Sequence, residues 1–104
     1  MNPLEKELEL ALLDLYEQWK QVGKPKTYFL QMVRKGKNLR IYKGPVGTVR
    51  YLINKPTLTD GFVSLVRSGK KHWTVESLIL QPKWKDLFGP ADLERARIRL
   101  KQAG

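Results

Sequence analysis

Apolar positions recur at intervals of three and four along the first part of the chain: Leu4, Leu8, Ala11, Leu12, Leu15, Trp19 and Val22. On a helix this spacing gathers them into one stripe, so the pattern predicts a helix from Pro3 to Val22. Asn2 is placed to cap it, Pro3 suits the first helical position, and Glu5 lies in the first turn, where the macrodipole favours an acid. Gly23 and Pro25 supply the stop. Trp19 falls on the stripe and is assigned to the core rather than to a stacking platform.

Tyr28, Phe29, Met32 and Val33 repeat the helical spacing and predict a second helix over Thr27 to Lys35, stopped near Gly36. Asn38 to Asn54 supports two readings. Leu39, Ile41, Val49, Tyr51 and Ile53 alternate around Gly44-Pro45-Val46-Gly47, the pattern of a short β-hairpin at residues 39–53. Alternatively, Gly44 is an N-cap and Pro45 opens a helix with Val46, Val49, Leu52 and Ile53 inward. The helix is the preferred reading, with Leu39–Tyr42 as an extended connector.

Beyond Pro56, Thr57 or Thr59 caps a short helix with Phe62, Leu65 and Val66 inward, ended by Gly69. Thr74 caps another with Val75, Leu78 and Ile79 inward and Glu76 in its first turn. Pro82 begins a turn carrying Trp84, Leu87 and Phe88. Gly89-Pro90 opens a last helix, acids first and bases last, with Leu93, Ala96 and Leu100 as its seam. The expected fold class is therefore all-α: five to six short helices in one orthogonal bundle, residues 1–104 forming a single small domain. Its expected core is Leu8, Leu12, Leu15, Trp19, Phe29, Met32, Leu52, Phe62, Leu65, Leu78, Leu87, Phe88 and Leu100.

Charge alters this picture more than composition does. The 104 residues carry twenty Lys and Arg against ten Asp and Glu, a net charge of +10. The distribution is uneven: residues 1–20 hold five acids and two bases, whereas Lys24 to Lys55 contains nine bases and no acid. Such a stretch needs a counter-charge, either the acidic first helix or an external polyanion. There is no cysteine, so disulfides, thiolate metal sites and thiol nucleophiles are excluded. The N-terminus lacks the basic start of a signal peptide, and no apolar run approaches the ~20 residues that span a bilayer. A cytoplasmic location without membrane attachment is expected.

Candidate catalytic chemistry is sparse. His72 is the single histidine and lies in a loop beside Lys71 and Trp73, without a second ligand or a nearby nucleophile. The carboxylates Asp60, Glu76, Asp86, Asp92 and Glu94 each have a cap, a turn or a helix start to explain them. No enzyme, metal, cofactor or small-molecule substrate is implied. The basic window is the stronger candidate. Lys24, Lys26, Arg34, Lys35, Lys37, Arg40, Lys43, Arg50 and Lys55 are interleaved with Tyr28, Tyr42 and Tyr51. Cations meet phosphates and aromatic rings stack on unpaired bases, so this mixture suits DNA or RNA. The Lys70-Lys71-His72 loop and the arginines of the last helix extend the candidate face. The expected function is non-enzymatic nucleic-acid binding through residues 24–55. The alternative is a protein-interaction or regulatory module that uses the acidic first helix or the basic face.

Asp60-Gly61-Phe62-x-x-Leu65, Thr74-Val75-Glu76-x-Leu78-x-Leu80, Leu87-Phe88 and Leu93-x-x-Ala96-Arg97-x-Arg99-Leu100 form a spaced pattern. It resembles a family of small uncharacterised bacterial proteins in which D-G-F-x-x-L, T-V-E-x-L, L-F and L-x-x-A-R-x-R-L follow one another. The likeness covers roughly residues 28–100 and departs at His72-Trp73 and in the lysine-rich run from Arg34 to Lys43. It implies a compact helical unit and carries over no catalytic residue.

Overall fold

Asn2 accepts the backbone N–H of Glu5 through its side chain at 2.8 Å, Pro3 takes the first helical position, and helix α1 runs Pro3–Trp19. Its inner face buries Leu8, Leu12, Leu15 and Tyr16. The structure, a computed structural model, describes residues 2–36 and 39–103. Helix α1 stops three residues before the predicted Val22, because Gln21 and Val22 already close turn-type bonds ahead of Gly23 and Pro25.

Helix α2 spans Tyr28–Val33, shorter than predicted at both ends, since Arg34 is already extended. The predicted extended connector is instead a turn at Leu39 to Ile41, with Leu39 exposed to solvent. Helix α3 runs Gly44–Ile53, so the helical reading of this segment holds and the hairpin reading does not. Gly44 is the first helical residue rather than the cap, and its φ of +76° is a left-handed value that suits glycine. Thr48, Val49 and Ile53 are the fully buried side chains of α3, which turns Leu52 to a half-buried flank.

Thr59 caps helix α4, Asp60–Arg67, by accepting the Phe62 N–H at 3.2 Å. Its C-terminus is a Schellman closure: Lys70 N–H donates to the Leu65 carbonyl at 2.8 Å and Gly69 N–H to that of Val66 at 3.1 Å. Gly69 sits at φ +74°, where a Cβ is strained even though nothing lies within 4 Å of it. Gly69→Ala is therefore expected to cost about 1–2 kcal/mol in a urea unfolding curve. Gly61, inside the same helix with equally open surroundings but ordinary φ, should tolerate alanine or gain from it. Equal losses at both positions would contradict the backbone argument.

A 3₁₀ turn at Lys71–Trp73 leads into helix α5, Val75–Ile79, capped by Thr74, whose hydroxyl accepts from Ser77 N–H. A second 3₁₀ turn, Pro82–Trp84, buries Trp84 and precedes helix α6, Pro90–Gln102. Asp92 accepts the Gly89 N–H at the start of α6. Ala96 and Arg99 form the buried face of α6, with Leu93 and Leu100 half-buried beside them. An arginine thus takes the seam position predicted for Leu100.

The fold is all-α, with six helices and no strand among the described residues. Helices α1, α3, α5 and α6 enclose one core, α2 lies against α1 and α3, and α5 packs on α6. The Cα radius of gyration, 13.0 Å, is that of a single compact body of about 100 residues. Nine of the predicted core residues are buried; Trp19, Leu52, Leu87 and Leu100 are half-buried. Trp19 stays at the margin because its indole N–H donates to the Trp73 carbonyl at 2.7 Å while its ring meets Phe29 edge-on. None of the helices is long and apolar enough to cross a membrane.

Candidate nucleic-acid interface

The loop from α1 to α2, the end of α3 and the start of α4 leave between them a groove of about 780 Å³. Helix α4 causes it: this element leans mainly on the Lys71–Trp73 turn and leaves its flank toward α2 and α3 open. Lys24 and Lys26 reach the groove from the first loop, Tyr28 from α2, and Tyr51 and Lys55 from the last turn of α3 and its exit. Met32, Phe62 and Leu65 line it as well; they are buried yet stand apart from the main core.

The placement of Tyr51 follows from helix spacing. Lys55 is one turn along, and its ammonium lies 4.7 Å from the Tyr51 ring centre. Lys43, at the start of α3, places its ammonium 4.8 Å from the same ring. The ring thus concentrates two cations at the groove edge, an arrangement stabilised by the negative aromatic face. Tyr51 is 38% exposed and Tyr28 is 40% exposed, so both rings are open to a ligand.

At the inner end of the groove lies a buried ion pair. Arg99 Nε donates to Glu76 Oε2 at 2.8 Å, with both side chains 5% exposed. Arg99 Nη1 donates to the Lys55 carbonyl at 3.1 Å, and the guanidinium carbon lies 5.8 Å from the Phe62 ring centre. Nη2 is buried without a hydrogen-bond partner. Arg95 makes a parallel contact, its Nε donating to the Ile53 carbonyl, so two arginines of α6 satisfy carbonyls at the end of α3. Arg95 and Arg99 thus tie α6 to the end of α3, whereas Arg97 pairs with Glu94 on the exposed side of its own helix.

The structure divides the predicted site. Lys24, Lys26, Tyr51 and Lys55 share the groove, and Lys43 joins them through the Tyr51 ring. Arg50 turns away to Asp92 at 3.1 Å. Arg34 and Lys35 are exposed beyond the end of α2 and outside the groove lining. Arg40 is exposed in the following turn and has a contact of its own. Tyr42 is half-buried with its hydroxyl close to Gly44, and Lys37 lies outside the described residues.

The acidic first helix does not supply the missing counter-charge for these groove cations. Its ion pairs go to Lys6, Lys20 and Lys83. Lys24, Lys26, Arg34, Lys35, Lys43 and Lys55 have no carboxylate within ion-pair distance among the described residues. The groove itself contains Lys24, Lys26, Lys55 and Arg99 against Asp60 and Glu76, a net excess of positive charge.

Glu76 and Arg99 are the site residues that sequence patterning misses. The signal for Arg99 is its position three residues after Ala96 on a helix seam; for Glu76 it is a carboxylate set among Val75, Leu78 and Ile79. His72 lines a different, smaller hollow with Asp14 and Gln18, away from Asp60 and Glu76. Among the described residues no three His, Asp or Glu side chains gather as a metal cluster. No protein-family model, curated protein or solved structure matches the chain.

Proposed function

We propose that the chain binds nucleic acid through the groove edge formed by Lys24, Lys26, Lys43, Tyr51 and Lys55. The observation that carries this reading is the Tyr51 ring, with two ammonium groups held over it, beside a loop carrying two further unpaired lysines. Four closely set cations without carboxylate partners repel one another, and a phosphate chain relieves that repulsion while releasing its own counterions. A globular ligand with a single negative charge would use only one of them.

The test is a titration of labelled DNA and RNA at several salt concentrations. Four to six phosphate contacts predict a log–log slope of about −3 to −5. Absence of binding at low salt overturns the reading.

A second reading, protein interaction through α1, rests on Leu10. It is 53% exposed on the outer stripe shared with Glu7, Asp14 and Glu17. That reading predicts a partner retained after nuclease treatment and released by Leu10→Lys.

A further inference from the structure

We infer that the groove takes single-stranded nucleic acid, with phosphates on the lysine rim and an unpaired base inside against the tyrosines and the apolar wall. This rests on the nucleic-acid reading above and adds the form of the ligand. Three independent features point the same way.

The first is shape. A groove of about 780 Å³ lies within the ~300–1,000 Å³ range of small-molecule sites, room enough for a base and its sugar. A duplex has its bases stacked inside and offers this protein only its outer phosphates. It would touch Lys24, Lys26 and Lys55 and leave the groove unfilled.

The second is the lining. Tyr28 and Tyr51 stand exposed at the groove, and Met32, Phe62 and Leu65 furnish apolar surface within it. Aromatic side chains at a positively charged groove are the equipment for stacking unpaired bases without dependence on sequence. A base approaching Tyr51 meets a ring already occupied by Lys43 and Lys55. Those ammonium groups are then passed to the adjoining phosphates, so stacking and charge neutralisation occur together.

The third is Arg99. Its Nη2 is buried without a partner, and the residue is part of the groove lining. Glu76 and the Lys55 carbonyl hold the other two nitrogens, so the guanidinium is fixed in orientation. Because Nη2 is closed off from solvent, a base must displace the wall around it to reach this donor, and the keto oxygen or ring nitrogen at the edge of every nucleobase then satisfies it.

The experiment compares short labelled single strands of DNA and of RNA with the matching duplex at equal salt, using the full chain. The single strands should bind roughly tenfold more tightly than the duplex and quench the fluorescence of Trp19, which lines the groove. The double variant Tyr28→Ala/Tyr51→Ala should lose that preference, its single-strand affinity falling roughly tenfold further than its duplex affinity. Both tyrosines are surface residues, and an unchanged circular dichroism spectrum verifies that the variant is folded. A preference of DNA over RNA, or the reverse, identifies the strand chemistry and supports the inference in either case. Equal affinity for single strand and duplex, unaltered by the tyrosine substitutions, overturns the inference and leaves the nucleic-acid reading standing. Failure to bind either form at low salt overturns both.

Discussion

Glu76→Ala is expected to lower the unfolding free energy by about 3–5 kcal/mol, the largest effect of any single substitution considered for this chain. The reason is geometric. Arg99 lies on the buried face of α6 with its side chain 5% exposed, and Glu76 is the carboxylate that neutralises it, at 2.8 Å. Removing the carboxylate leaves a guanidinium charge inside the protein with one backbone carbonyl, that of Lys55, as its remaining partner. For a domain of this size the melting temperature should fall by roughly 12–25 °C. Because small domains hold only about 5–15 kcal/mol in total, the variant will lie near the threshold of folding. The double variant Glu76→Leu/Arg99→Met should recover much of the loss, since removing both charges also removes the cost of desolvating them. Urea unfolding followed by circular dichroism reads all three proteins. A loss under about 1 kcal/mol for Glu76→Ala would mean that water reaches the pair freely, against its burial.

The second large effect concerns binding. Replacing Lys24, Lys26 and Lys55 together by glutamine should weaken single-strand affinity about a hundredfold at 0.1 M salt, each lysine contributing roughly 0.7 of a logarithmic unit there. The three come from two separate segments, and the groove is what brings them together. Arg34→Gln/Lys35→Gln removes two charges from the same basic window but outside the groove, and should weaken binding far less. If the two variants lose affinity equally, the protein responds to net charge alone and the groove has no special part. Stability should change little in either case, since Lys24, Lys26, Arg34 and Lys35 are exposed and the half-buried Lys55 has no ion pair among the described residues.

Features set by neighbouring residues are legible in the sequence, and those set by distant ones are not. Helix starts are readable because their determinants are local: Asn2, Thr59 and Thr74 each accept a backbone N–H three residues on. Pro45 and Gly69 mark a start and a stop for the same reason. The window of lysines is readable as charge, and Tyr51 as its aromatic companion. Lys43, Tyr51 and Lys55 converge because an α-helix brings them there. The pairing of Glu76 with Arg99 spans 23 residues and depends on how α5 meets α6, which no local pattern encodes. The same holds for Arg50, whose reach to Asp92 withdraws it from the candidate face. Leu100 and Leu52 carry the right spacing but flank their helices' buried faces, since rotation of a helix by one position is decided by its neighbours. Glu76 and Arg99 belong to the two separate stretches, T-V-E and A-R-x-R-L, that stood out in the sequence. Their meeting gives both a structural reason.

The most direct test of the groove as the binding site is the salt dependence of affinity for one single strand, measured in parallel for the unmodified protein and for Lys24→Gln/Lys26→Gln/Lys55→Gln. A slope of about −3 to −4 is expected for the former and one shallower by roughly two units for the latter, since each single-strand phosphate contact contributes about 0.7. Parallel lines of equal slope would place the phosphates elsewhere on the protein and contradict the groove as the binding site.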